Sequence, residues 1–248
     1  MTRAPHLLLL AGSGEAREIA KALSQMPVQV SASLFETDHW SGPLPVSTRS
    51  GGFGGDAGFR SYLQDQNITA VLDATHPFAA RISDRTWRIC HDLALPYAQL
   101  DRPDWRAGEG DDWTEVETAE DAAALTTPGR RYFVTTGRET LPAFREKTDR
   151  TFLFRQLREG PSPEAPPHIA FVPGSGPFSA HQEQDLFEDL RIDGLICKNA
   201  GGTLSRTKLD AARALGLQVI LLRRPPATGA PVVHSVAEAL DWVRDTCL

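Results

Sequence analysis

The stretch Ala70–Ser83, AVLDATHPFAARIS, leads from a short apolar run through Asp73, Thr75, His76 and Pro77 into a helical pattern. Small and polar residues at the carboxyl end of a buried strand, with a helix start just behind them, are how open α/β sheets build ligand sites. The flanking sequence repeats that alternation. Strands are expected at His6–Leu10, Gln29–Leu34, Ala70–Asp73 and Tyr97–Leu100, with helices at Glu15–Leu23, Phe59–Gln66 and Phe78–Leu93. The strand runs are nearly unbroken in apolar residues rather than alternating. Strands buried on both faces have that character, so a parallel sheet covered by helices on each side is expected.

After Leu100 the texture changes. Asp101–Val116, DRPDWRAGEGDDWTEV, mixes many charges with Pro103, Gly108 and Gly110 and reads as a domain crossing. The alternation then resumes, with strands at Arg131–Val134, Phe152–Gln156, Ile169–Val172, Gly194–Cys197 and Val219–Leu222. A short helix is expected near Pro142–Arg145, with longer ones at Ser179–Leu190, Lys208–Leu215 and Ser235–Arg244, and Glu159–His168 reads as a surface loop. The expected architecture is α/β: two Rossmann-like domains with mostly parallel sheets and an inter-domain cleft. They are expected over residues 1–100 and 131–248, joined by a crossing segment over 101–130. The last strand and helix could pack on either sheet.

The chain has 248 residues, enough for two modest domains. Its apolar fraction of 41% and charged fraction of 23% are ordinary for a soluble protein. A net charge of -6 argues against a general nucleic-acid binder, which needs a basic face. A local arginine cluster for a small anion is compatible with it. Cys90, Cys197 and Cys247 lie far apart, with no CxxC and no histidine at ligand spacing, so neither a disulfide nor a metal site is expected. The apolar run His6–Gly12 is too short for a signal segment or a membrane span, and the chain reads as cytoplasmic.

Two glycine-rich turns stand ahead of helices. Gly12, Ser13 and Gly14, followed by Glu15 and Ala16, form a turn whose backbone can approach phosphate, with helix N–H groups behind it. The GxGxxG form is incomplete because Arg17 stands where the third glycine belongs. The second cluster, Gly51, Gly52, Phe53, Gly54 and Gly55, suits a backbone pressed against a flat ring or a diphosphate. The neighbouring Arg49 could pair with a 2′-phosphate, whereas Glu36, about twenty residues beyond the first turn, would favour an unphosphorylated ribose. Both readings stay open on these residues alone.

Seven motifs then combine in order and spacing: GSGEAREIA (Gly12–Ala20), GGFGG (Gly51–Gly55), LDATHPFAARIS (Leu72–Ser83), LDRPDW (Leu100–Trp105), VTTGRETL (Val134–Leu141), PGSGPFS (Pro173–Ser179) and the long Cys197–Pro225 segment beginning CKNAGG. From about Leu7 to the last helix the chain resembles the precorrin-6A reductase family of cobalamin biosynthesis. Two positions depart from the family's usual form. Ser13 replaces Thr and keeps the hydroxyl, while Ala200 replaces Ser and removes one hydrogen bond to a ligand.

The resemblance implies an NADPH-dependent oxidoreductase that reduces one ring double bond of precorrin-6A to give precorrin-6B. It also implies a large tetrapyrrole with many acetate and propionate carboxylates, which an acidic protein must meet with local positive groups. The substrate-binding candidates are Arg17, Arg102, Thr135, Thr136, Gly137, Arg138, Lys198, Asn199, Gly201, Gly202, Lys208 and Arg224, with Arg81 and Arg223 also basic and near motifs. The cofactor is expected on Gly12–Ala16, Arg49, Gly51–Gly55, Thr75, His76, Pro77 and Phe78. Thr75 would cap the following helix and Pro77 would occupy its first turn. His76 is the candidate proton donor, since hydride addition to a conjugated system needs a proton delivered elsewhere. No nucleic acid, membrane or metal is expected, and the protein partners compatible with this reading are neighbouring enzymes of the cobalamin pathway. The competing readings are a cobalt-precorrin-6A reductase of the anaerobic route, a non-redox Rossmann-like transferase such as a methyltransferase using S-adenosylmethionine, and an NADP-sensing protein without turnover.

Overall fold

The computed structural model describes residues 4–35, 42–157 and 164–248. Glu36 and the first part of the expected Glu159–His168 loop lie outside the described residues. The chain forms two compact units, Met1–Pro103 with Pro225–Leu248, and Asp104–Arg224.

The first unit is a six-stranded, wholly parallel sheet. Its strands are β1 (His6–Ala11), β2 (Gln29–Leu34), β3 (Ser47–Ser50), β4 (Ala70–Ala74), β5 (Tyr97–Leu100) and, from the far end of the chain, β12 (Val232–Val233), in the order β12-β5-β4-β1-β2-β3. The unbroken LLLL run of β1 has a direct cause. Leu7 and Leu9 face the core formed with α1 (Gly14–Leu23) and α7 (Val236–Cys247), where Ile19, Leu23, Ala239 and Val243 pack. Leu8 and Leu10 face the opposite core, against Phe59 and Leu63 of α2 (Gly55–Asp65) and Ile89 of α3 (Ala80–Asp92). A strand buried on both faces is nearly continuous in apolar residues, and its one polar side chain, His6, is buried against Gln66 O at 2.7 Å and Ser31 Oγ at 2.9 Å.

The second unit repeats the plan. Its strands are β6 (Asp112–Val116), β7 (Arg131–Val134), β8 (Thr151–Gln156), β9 (Ile169–Pro173), β10 (Gly194–Lys198) and β11 (Gln218–Leu222), all parallel, in the order β6-β11-β10-β7-β8-β9. On one face Phe133, Leu195, Cys197 and Val219 pack against Phe187 of α5 (Ala180–Asp189) and Leu209 of α6 (Thr207–Ala214). Elsewhere in the unit buried aromatics meet: Phe144, from a 3-10 helix (Arg138–Phe144), lies 4.7 Å from Phe152 and 5.6 Å from Phe154. Gly194 is needed beneath Tyr132, since a Cβ there would come within 2.7 Å of the ring.

The expected division at 101–130 and 131–248 is corrected in two places. Residues 104–130 are not a crossing segment: β6 lies alongside β11, and α4 (Ala119–Ala124) opens with a reciprocal Thr118–Asp121 capping box. Asp111 is anchored to Arg213 at 2.6 Å, and that contact holds its carboxyl below the usual range. The chain end, placed in the second domain on the sequence, instead returns to the first sheet. Val232 and Val233 pair with Gln99 and Leu100, covering the otherwise open edge of β5, and α7 fills the core beside α1.

Candidate active site

In an open parallel sheet, ligands bind at the carboxyl ends of the two strands from which the connections leave in opposite directions. In the first sheet those strands are β1 and β4: β1 leads to β2 and β3 on one side, and β4 leads to β5 on the other. The residues beyond their ends are Gly12–Gly14 and Thr75–Phe78, so the two motifs picked out on the sequence meet at the switch point.

Their contact is tight. A Cβ on Gly12 would lie 3.3 Å from both the His76 nitrogen and the Thr75 Cα, which is why glycine stands there. Ser13 caps α1 by accepting the Ala16 N–H at 3.2 Å, while its own hydroxyl donates to the Ala74 carbonyl at 2.9 Å. The hydroxyl that Ser shares with Thr thus ties the first turn to the end of β4. Gly12 and Gly14 are exposed, and a helix start leaves the amides of Gly14 and Glu15 without intrahelical acceptors.

Asp73, buried at the end of β4, was not singled out on the sequence. Its carboxylate accepts the Thr75 N–H at 3.0 Å and the Tyr97 hydroxyl at 3.0 Å, fixing the start of the Thr75–Phe78 turn. Burial, reinforced by Asp73, pushes the Tyr97 hydroxyl far up, so it stays a donor. Thr75 bonds to the Ser83 hydroxyl at 3.3 Å and caps nothing, because α3 begins only at Ala80 after a turn closed by Ala79 N–H on His76 O. Pro77 therefore lies in that turn, ahead of the helix. Half-buried His76 accepts the Phe78 N–H on Nδ1 at 3.2 Å, which leaves Nε2 as the proton-bearing nitrogen of the neutral ring.

The second glycine cluster follows edge strand β3, whose polar sequence STRS carries no apolar signal. Gly51 and Gly54 adopt φ of +94° and +77°, conformations that favour glycine, and a Cβ on either would point into open space. Arg49 shapes this loop from within. Its guanidinium donates to Ser33 Oγ and Gly51 O, each at 2.8 Å, and to Gly52 O at 3.0 Å, and it lies 4.1 Å above the Phe53 ring. Phe35, next to the end of β2, leaves 76% of its surface exposed beside this loop, its carbonyl accepting the Gly51 N–H at 3.1 Å. In the sequence Phe35 is visible only as an aromatic that directly follows β2; its exposure comes from the fold.

Several other expected ligand groups are engaged inside the first unit. Glu15 and Arg102 form a buried ion pair with each other. The Ala16 amide is taken by the Ser13 cap. Arg17 donates to Gly42 O at 2.7 Å.

In the second sheet the switch point falls between β7 and β10, and it gathers the other two motifs, Thr135–Arg138 and Lys198–Gly202. Lys198 Nζ meets Glu139 Oε1 at 2.5 Å. Thr135 Oγ1 is buried and has no hydrogen-bond partner among the described residues. Thr136 is turned inward onto Thr140 at 2.5 Å, and exposed Arg138 follows Gly137. Asn199 exchanges two hydrogen bonds with the Trp105 backbone, at 2.9 and 3.0 Å, and Trp105 Nε1 donates to Gly202 O at 2.6 Å. Arg224 donates to the carbonyls of Asn199 and Ala200, each at 3.0 Å, and pairs with Asp104 at 2.9 Å. Asn199 and Arg224 therefore brace the Lys198–Gly202 turn, in which Gly201 and Gly202 have φ of +66° and +70°. Lys208 donates to Ser205 O at 2.5 Å and lies 4.8 Å over Trp105, and burial lowers its ammonium from the ordinary value. Arg223 pairs with Glu115 and Glu117 on the exposed surface, and Arg81 is exposed on α3.

Two parallel sheets, each with glycine turns and polar side chains at its switch point, define a Rossmann-type protein built to hold ligands at strand carboxyl ends. Comparison with known proteins narrows this. The family described as precorrin-6x reductase CbiJ/CobK matches residues 6–244, and the chain belongs to that family. It is 39% identical to the precorrin-6A reductase of Rhodococcus erythropolis and 40% identical to that of Mycobacterium tuberculosis, with 98% of each chain covered in both cases. The cobalt-precorrin-6A reductase of Priestia megaterium is 27% identical, over 94% of this chain and 96% of that one. A solved precorrin-6A reductase structure superposes with a TM-score of 0.91 at 32% identity, covering 98% of this chain and 97% of that one. The chain is accordingly an oxidoreductase of the tetrapyrrole-reducing class. Among the described residues no helix is long and apolar enough to cross a membrane.

Proposed function

We propose that this enzyme reduces one ring double bond of metal-free precorrin-6A with NADPH, giving precorrin-6B in cobalamin synthesis. The observation that carries the reading is the meeting of Gly12–Gly14 and Thr75–Phe78 at the first switch point, in a chain of this family. The higher identity to relatives named for precorrin-6A than to the Priestia relative named for the cobalt form favours the metal-free substrate.

The first unit's residues fit a dinucleotide. The Gly12–Gly14 turn and the start of α1 receive the pyrophosphate on backbone amides. Phe35 offers a flat face to the adenine, and Arg49, beside Gly51–Gly55, reads the 2′-phosphate. When bound, the reduced nicotinamide supplies the hydride. His76, protonated to the imidazolium and so released from the Phe78 N–H, gives a proton from Nε2 to the neighbouring carbon and regains one from solvent. In the second unit Lys198, Arg138, Lys208 and Thr135 receive substrate carboxylates, with the Gly137 and Gly201–Gly202 turns giving close approach.

The test is calorimetric binding of NADPH and NADH to wild type and Arg49→Ala. Loss of a charged hydrogen bond is expected to weaken NADPH about tenfold or more and leave NADH unchanged. Equal losses for both would mean that Arg49 only shapes the loop, and the 2′-phosphate assignment would fail.

A further inference from the structure

At the second switch point Lys198 meets an acid of its own unit, Glu139. Lys198 Nζ meets Glu139 Oε1 at 2.5 Å, and the two side chains differ sharply in exposure, 16% for the lysine against 65% for the glutamate. The carboxylate is drawn tightly over the turn. A Cβ on Gly137 would lie 2.3 Å from Glu139 Oε2 and 2.7 Å from Oε1, so the carboxylate lies directly over this glycine, whose φ of +97° itself favours glycine. The buried Thr135 hydroxyl, without a partner among the described residues, belongs to the same turn.

We propose that Glu139 is an internal stand-in for a substrate carboxylate: it occupies the seat at Lys198 and Gly137 until a carboxylate arm of the substrate displaces it. The inference rests on the reading that Lys198 receives such an arm. The physical logic is an exchange of like for like. A half-buried lysine is stabilised by a counter-charge, and Glu139 supplies one in the free enzyme. Because Glu139 itself is mostly in water, releasing it costs little, as for exposed ion pairs generally. The tether makes it a permanent weak competitor, which raises KM and keeps the site from holding the polycarboxylate too tightly. Its removal should therefore strengthen binding, the opposite of what removing a contact residue does.

The test uses uroporphyrin, a stable fluorescent tetrapyrrole with acetate and propionate arms, titrated into the full-length protein as wild type, Glu139→Gln, Lys198→Met, Lys198→Arg and the Glu139→Gln/Lys198→Met double variant. Glu139→Gln is expected to lower Kd about two- to fivefold. Lys198→Met is expected to raise it about tenfold or more, with Lys198→Arg recovering part of the loss and so excluding a folding defect. In the Lys198→Met background Glu139→Gln should have no effect. If Glu139→Gln leaves Kd unchanged or raises it while Lys198→Met weakens binding, the stand-in role is overturned and the role of Lys198 survives. If Lys198→Met binds as well as wild type, the reading of Lys198 itself fails, and the stand-in role fails with it.

Discussion

Arg102→Met is expected to destabilise the first unit by about 3–5 kcal/mol, because it leaves the Glu15 carboxylate buried without its partner. The two side chains are 7% and 11% exposed, so water can replace little of the lost contact. Glu15 stands in the first turn of α1, directly behind Gly12–Gly14, and Arg102 lies just past the end of β5. The pair therefore locks the start of α1 to the segment that leaves β5 in the same unit. Urea unfolding followed by amide exchange should show lost protection in β1 and β4, with β7 and β10 little changed. The double variant Glu15→Leu/Arg102→Met should recover part of the stability, since the Glu15 carboxylate is then no longer buried without its partner. A double variant as unstable as the single one would show that Arg102 acts through packing rather than charge.

Gly58→Ala is the second large effect expected. Gly58 lies in the first turn of α2, and a Cβ there would come 1.8 Å from the Phe53 carbonyl oxygen, so backbone must move to admit a methyl group. Overpacking of this kind costs roughly 1–3 kcal/mol, and a backbone collision belongs at the upper end. The displaced residue is the centre of the glycine loop. The Phe53 ring packs 4.8 Å from Phe59 and 5.1 Å from Tyr62, beneath the Arg49 guanidinium. The variant should thus lose stability and, with Arg49 reading the 2′-phosphate as proposed, bind NADPH no better than NADH, read by urea midpoint and by calorimetry. Unchanged selectivity in a destabilised Gly58→Ala would separate the loop from recognition of the 2′-phosphate.

The parts of the fold legible in the sequence are those where burial on both faces leaves a chemical trace. The runs HLLLLA, AVLDA and GLICK could only be interior parallel strands, and they are β1, β4 and β10. Two edge strands left no such trace: STRS of β3 and DWTEV of β6 are polar because most of their side chains are exposed or only half-buried. The return of the chain end to the first sheet was also hidden, since Val232 and Val233 would suit either edge, and only the register with Gln99 and Leu100 decides it.

The site divides in the same way. Turn glycines and the Thr75–Phe78 turn were visible because such residues follow buried strands for few other reasons. Partner choice was not visible. Arg102, Arg224 and Asn199 are chemically fit to hold carboxylates, yet contacts distant in sequence, to Glu15, to Asp104 and to the Trp105 backbone, engage them within the protein. Glu139 carries no signal in the sequence beyond its place in the VTTGRETL motif; its position over Gly137 and against Lys198 is a contact between distant parts of the chain that only the fold creates.

The measurement that tests the central claim most directly is the nicotinamide absorbance of NADPH mixed with the full-length protein and precorrin-6A, with the tetrapyrrole spectrum followed in parallel. The account predicts oxidation of NADPH in step with shortening of the tetrapyrrole's conjugation, one equivalent for each double bond reduced. NADPH that binds and stays reduced while the tetrapyrrole spectrum is unchanged would contradict it, and would make the protein a binder of the cofactor without turnover.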